Sequence, residues 1–160
     1  MLRISRMTDY ATVLLAALAE QPDRVQTAAA LAERTHIAVP TVSKLLKQLH
    51  RTGLVSSTRG LHGGYQLAKP ASRISVAAIL DALEGPVALT DCAANGGGCE
   101  IERDCRVGHA WQRLNLVIRR AMQAVSLAEL AGLGDARPGS TVVEHEVNAG
   151  KSPSRALTRP

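Results

Sequence analysis

Apolar residues along the chain gather into short runs of helical period separated by polar punctuation. From Ser5 onward, Met7, Ala11, Leu14, Leu15 and Leu18 recur on one helix face until Gln21-Pro22, where proline disfavours continuation. Thr27 is placed to cap a second helix over AAALAERTH, with Leu31 facing inward. A third helix opens at Val39-Pro40, since proline suits the start of a helix, and Val42, Leu45, Leu46 and Leu49 form its single apolar stripe. Thr41, Ser43, Lys44 and Lys47 fall largely outside that stripe. Two short helices joined by a tight turn, the second exposing small polar and basic residues near its start, form the pattern of a helix-turn-helix.

The helical period then gives way to two strand-like runs, Leu54 to Thr58 and Tyr65 to Ala68, around a glycine-rich turn. A β-hairpin after a helix-turn-helix reads as a wing, with Arg59 and His62 at its tip. Gly60, Gly63 and Gly64 are expected to permit positive φ and close approach of the backbone to a partner, and the same glycines would serve a tight turn. Ser75 caps a further amphipathic segment, VAAILDALEG, that ends at Gly85. Beyond a cysteine-bearing interruption, Trp111, Leu114, Ile118, Ala121, Val125 and Ala128 alternate steps of three and four, with Arg113, Arg119 and Arg120 off the seam. That is coiled-coil spacing, and it predicts a long helix pairing with its twin in a homodimer; packing on its own domain is the alternative. Ser126-Leu-Ala-Glu129 matches a capping box and opens a last short helix. After Gly134 the chain is Pro, Gly, Ser and charge without period, and reads as a disordered tail.

The expected fold is therefore mainly α with a small β-hairpin wing. Its parts are a winged helix-turn-helix over 1–85, a cysteine-rich loop over 86–106, a dimerisation helix with a short terminal helix over 107–133, and a tail over 134–160. With 160 residues, one compact domain plus an appended element is the natural reading. No run of 18 apolar residues occurs, and the first segment is interrupted by Arg6, Asp9 and Tyr10 without a signal-type cleavage site, so a cytoplasmic protein with no membrane partner is expected.

The formal net charge of +5 gains meaning once located. Residues 41–69 carry Lys44, Lys47, Arg51, Arg59 and Lys69 with no Asp or Glu, while the segments on either side are neutral. Double-stranded DNA is the partner this favours, because each cation placed on a phosphate releases condensed counterions; a solvated basic face is the plainer alternative. Thr41, Ser43 and Lys44 are the candidates for base or phosphate contact, Lys47 and Arg51 for phosphate, and Arg59, with His62 and the Gly63-Gly64 backbone, for the minor groove. No Ser/His/Asp arrangement, paired carboxylates or G-K-[ST] phosphate loop is evident, so neither an enzyme nor a small-molecule substrate is expected.

All three cysteines lie in TDCAANGGGCEIERDCRVGH, residues 90–109. Their odd number, in a compartment that keeps thiols reduced, argues against a structural disulfide. Cys92, Cys99 and Cys105 are separated by six and five residues, unlike the C-x-x-C pairs of zinc ribbons. Three thiolates on a glycine-rich loop can wrap an iron–sulfur cluster, whose ligand sites lie several ångströms apart. Spacing alone also leaves zinc, a thiol switch and unbound cysteines open, and a cluster would need a fourth ligand, for which His109, Asp91, Asp104, Glu100 and Glu102 are near in sequence. A small cluster carrier would explain the cysteines but not the acid-free basic segment.

TDYA near the start, LVSSTRGLHGGYQLAKP in the predicted wing, DCAANGGGCEIERDC in the loop and VSLAEL after the long helix occur in one order. In that order they resemble the IscR and NsrR family of dimeric winged-helix regulators, over residues 1 to about 133. The resemblance implies a transcription factor, here a repressor, whose three cysteines hold an iron–sulfur cluster (2Fe-2S or 4Fe-4S) that controls operator affinity. The opening MLRISRMTDYATVLLAALAE is similar to the subgroup regulating iron–sulfur cluster assembly through the SUF system. A nitric oxide or redox sensor of the same fold, or a metal-free thiol-switch DNA-binding protein, is the alternative. For the fourth ligand the family implies two choices. IscR-type members carry a histidine at C-x-x-H spacing, where Cys105-Arg-Val-Gly-His109 is one residue longer. NsrR-type members use an aspartate in the first helix of the other subunit, at the position TDYA gives Asp9. Asp9 is favoured, with His109 retained beside it.

Overall fold

The computed structural model describes residues 3–90 and 105–134. Among these residues the chain forms α1 (Arg6–Ala19), α2 (Ala28–Thr35), α3 (Val39–Arg51), β1 (Val55–Thr58), β2 (Gly64–Leu67), a single 3-10 turn at Ala71–Arg73, α4 (Val76–Leu83), α5 (Gly108–Ala124) and α6 (Leu127–Leu130). The caps expected at Thr27 and Ser75 are in place, and Ser5 supplies one at the start of α1 as well. Ser5, Thr27 and Ser75 each accept a hydrogen bond from the backbone amide three residues on, at 3.1, 3.1 and 3.2 Å, so each satisfies a donor that its helix cannot. Between α2 and α3, His36 turns the chain with a φ of 57°, a left-handed conformation that side chains of this type tolerate better than most.

The core explains why these elements assemble. Leu14, Leu15 and Leu18 of α1, Leu31 of α2, and Val42, Leu45, Leu46 and Leu49 of α3 are all buried, and Val55, Ile74 and Ile79 close around them. Leu127 of α6 is equally buried and belongs to the same cluster, so the far end of the described chain returns beneath α1. Each such side chain, removed from water, stabilises the fold by about 1.5–3 kcal/mol before entropy is counted.

The two strands pair antiparallel in the register Val55–Leu67 to Thr58–Gly64. Near the turn, β2 also meets the segment before α2: Gln26 and Tyr65 exchange both backbone hydrogen bonds, at 2.9 and 2.8 Å. The wing is thereby tied to the residue just before the α2 cap. On its other side, His50 at the end of α3 contacts the Val55 carbonyl through Nδ1 at 3.1 Å.

One expectation about the long helix is corrected. The three-and-four spacing predicts a stripe continuing through Val125 and Ala128, but α5 stops at Ala124 and Val125 is extended. The Val125 carbonyl accepts from the Val76 amide at 2.9 Å, and the Leu127 amide donates to the Ile74 carbonyl at 2.7 Å. Ser126 then starts α6, its amide and hydroxyl both donating to Glu129 Oε2 at 2.7 Å. The capping box competes with helix continuation and wins, because it comes with a backbone bridge and a buried Leu127. The helical stripe therefore ends at Ala121.

Candidate nucleic-acid interface

α3 has two unlike faces. Val42, Leu45, Leu46 and Leu49 are fully buried, and this leaves Lys44, Lys47 and Arg51 exposed at steps of three and four on the opposite side, with Thr41 and Ser43 half-buried at the margin. Its start has no side-chain cap and carries Pro40 within the first turn. The ion pairs among the described residues are Arg34 with Glu20 and Arg119 with Asp81. Lys44, Lys47, Arg51 and Arg59 thus hold no carboxylate there, which leaves their charge available to an external anion.

The wing presents Arg59, Leu61 and His62 at its exposed tip. Of the three turn glycines, only Gly60 has positive φ, at 111°. Positive φ at Gly63 and Gly64 is not observed, and the requirement there is space inside the chain. A Cβ on Gly63 would stand 2.4 Å from the Thr58 carbonyl oxygen, and one on Gly64 would stand 2.5 Å from that of Gln26. Gly63 closes the turn, and Gly64 lets the start of β2 meet the α2 lead.

Asp9 is exposed in the first turn of α1, its amide donating to the Ser5 carbonyl at 3.0 Å. Cys105 is half-buried just before α5, and His109 is exposed in that helix's first turn. Cys92 and Cys99 lie outside the described residues, as do Asp91, Glu100, Glu102 and Asp104. Among the described residues no three His, Cys, Asp or Glu side chains gather to hold a metal ion. Gly108 is buried beside the Cys105 sulfur; a methyl group there would sit 3.6 Å from Sγ, so the bare glycine leaves room along the helix side of the thiol.

A clamp that the sequence did not reveal links α1 to the end of α4. Glu84 Oε1 accepts from the Ser5 amide at 2.8 Å and from the buried Thr8 hydroxyl at 2.6 Å. The Thr8 hydroxyl, then the Ser5 amide, hold the Glu84 carboxyl below its ordinary value of 4.5. A depressed carboxylate contributes stability that is present above the unfolded-state pKa and lost as pH falls through the folded one. The melting temperature is therefore expected to fall as acid is added below about pH 4.5, and by less in Glu84→Gln, which has no charge to lose there. Equal acid slopes in melting curves of the two proteins would contradict this role.

Residues 4–132 match the Rrf2 family, described as iron-dependent transcriptional regulators. The chain belongs to the Rrf2 family. It is 32% identical over 143 residues to an HTH-type regulator of Neisseria meningitidis serogroup A, covering 87% of this chain and 96% of that one. It is likewise 32% identical over 135 residues to IscR of Yersinia pseudotuberculosis, covering 84% and 82% of the two chains. In fold it resembles CymR, the global cysteine regulator of B. subtilis, with a TM-score of 0.65 at 24% identity over 84% of this chain and all of that one. IscR of T. potens gives 0.60 at 24% identity, covering 82% and 87%. Rrf2 proteins are transcriptional regulators and not enzymes, and this member is a DNA-binding transcriptional regulator of winged-helix fold.

In this Rrf2 chain the half-buried face of α5 is mixed, with Gln112, Asn115 and Arg119 beside Ile118 and Met122. Asn115 Oδ1 accepts from the Leu89 amide at 3.3 Å, and Arg119 forms a paired contact with Asp81 at 3.1 and 2.6 Å, an interaction that holds the guanidinium pKa further up. Trp111, Leu114, Leu116 and Val117 are exposed, and Gly108 is the helix's only buried residue. Ala121 is exposed and Ile118 half-buried on the same helix. Val117 flanks the Leu114 stripe and Leu116 lies on the opposite side of the helix, so the three-and-four template selects neither. No helix among the described residues is long and apolar enough to cross a membrane.

Proposed function

We propose that this Rrf2 regulator is a cytoplasmic homodimeric repressor of iron–sulfur cluster assembly genes of the suf type, its operator affinity set by an iron–sulfur cluster of its own. The observation that carries the reading is the donor set: three cysteines between a DNA reader and a long helix with an exposed apolar side, in a family described as iron-dependent. Cys92, Cys99 and Cys105 would hold the cluster, with Asp9 of the other subunit or His109 as fourth ligand. Cys105, half-buried just before α5, has the bare Gly108 beside its sulfur. When bound, such a cluster supplies chemistry that responds to oxidant, nitric oxide or iron scarcity.

The remaining roles belong to the chain. Trp111, Leu114, Ile118 and Ala121 pair α5 with its twin and hold two recognition helices at a separation near one turn of DNA. Thr41, Ser43 and Lys44 meet bases or phosphates, Lys47 and Arg51 meet phosphates, and Arg59 with His62 enters the minor groove. Asp9 sits on α1, whose apolar face packs in the same core as α3, so a constraint on Asp9 bears on recognition-helix placement. The two states must differ in DNA affinity for this to regulate.

Anaerobically purified protein should be coloured, with iron and sulfide in cluster proportion, and Cys105→Ser should lose both. Operator binding by the holo and apo forms should differ. A colourless protein carrying one zinc after reconstitution overturns the cluster reading, and one whose thiols simply pair on oxidation, with a matching change in DNA binding, is the thiol switch instead. Comparing cluster decay in Asp9→Ala and His109→Ala assigns the fourth ligand.

A further inference from the structure

Leu61 is 96% exposed at the wing tip, the most exposed large apolar side chain among the described residues. Single apolar residues on a surface are ordinary and need no explanation by themselves. Position is what distinguishes this one: it lies between Arg59 and His62 on the projecting end of a DNA-binding hairpin. The turn does not depend on it. Gly60 supplies the left-handed φ of 111°, the Gly63 amide donates to the Gly60 carbonyl at 2.9 Å, and the bare Gly63 packs against Thr58. A backbone that holds itself in this shape would accept a polar residue at 61, and the leucine has almost no contact with its own chain.

We propose that Leu61 is an apolar wedge that enters the minor groove beside Arg59 and partly unstacks one base step, making a deformable pyrimidine–purine step part of the operator. The proposal rests on the wing reading given above. Arg59 is drawn to the negative potential of the groove and brings the tip to its floor. A branched aliphatic side chain there cannot read hydrogen-bonding edges, but it can displace water and separate stacked bases, kinking the duplex toward the major groove. Steps such as TA and CA/TG cost least to open in this way. Sequence preference then arises without a hydrogen bond.

The test uses full-length protein and duplexes that the wild type selects from a random pool, with 2-aminopurine placed at each step under the wing. Wild type should enrich a pyrimidine–purine step at a fixed distance from each half-site and raise the probe's fluorescence there. Leu61→Ala should bind the selected duplex about tenfold more weakly with unchanged salt dependence, lose the enrichment and leave the probe quiet. Arg59→Ala should weaken binding and reduce the salt slope by about one per wing. If Arg59→Ala binds as wild type, the wing reading fails and the wedge with it. If Arg59→Ala weakens binding while Leu61→Ala stays within about twofold, or the probe is quiet with wild type, the wedge alone is overturned.

Discussion

Gly64→Ala is expected to lose operator binding by more than about tenfold while leaving the cysteine segment untouched. Gly64 opens β2, and its φ is not in the left-handed region, so the backbone itself tolerates alanine. The obstacle is contact. The added Cβ would lie 2.5 Å from the Gln26 carbonyl oxygen, 2.8 Å from its carbon and 2.9 Å from Val25 Cγ1. Two of these three atoms are backbone, and the same Gln26 oxygen accepts from the Tyr65 amide, so relief requires the start of β2 to move away from the α2 lead. Overpacking of this kind costs about 1–3 kcal/mol, and the two exchanged backbone hydrogen bonds contribute about 1 kcal/mol each. Much of the fold's margin over unfolding survives, but the wing is displaced relative to α3. Thermal melting and anisotropy on a selected duplex check this. A Gly64→Ala protein that melts and binds as wild type would show that the contact with Gln26 has slack and that position 64 needs glycine neither for the fold nor for DNA. Gly60→Ala, by contrast, meets open space and suffers only the strain of its positive φ, about 1–3 kcal/mol confined to the tip.

Leu114→Asp is expected to convert the protein to monomers and to lower operator affinity by about a hundredfold or more, because two linked readers become two independent ones. Leu114 is 44% exposed in the single chain and lies outside the buried core, so the substitution removes little internal packing and the winged domain should melt almost as before. A carboxylate facing its own copy across an apolar seam has neither water nor a counter-charge, which is what separates the subunits. Arg113→Ala, one position off the seam, should remain dimeric. Sedimentation of the three proteins decides the matter; Leu114→Asp running at the wild-type size would place the subunit contact elsewhere.

Local order was readable wherever sequence-near residues decide it. Helix starts at Ser5, Thr27 and Ser75 follow from side chains reaching amides three residues away, and the α3 stripe follows from leucines and valine at helical steps around a single buried face. The capping box at Ser126 was equally plain, yet its effect on the preceding helix was not. Whether Val125 continued the coil depended on Val76 and Ile74, some fifty residues back, offering the backbone a bridge. The glycines of the wing show the same division. A tight turn was evident from composition, while the reason Gly64 must lack a side chain lies in Gln26, brought beside it only by the fold.

Charge and cysteine placement also belong to the sequence: five cations without an acid, then three thiols, then an apolar repeat, in an order that already separates reader, candidate sensor and candidate seam. Tertiary structure alone decided which surfaces those residues occupy. It turned Asn115 and Arg119 inward and left Trp111, Leu114 and Val117 facing water, joined Glu84 to Ser5 and Thr8, and held Leu61 clear of every neighbour. The physical reason is that periodicity reports a helix's own apolar face but not what covers it. Covering, clamping and exposure are contacts between residues distant in sequence, and they exist only once the core of leucines has closed.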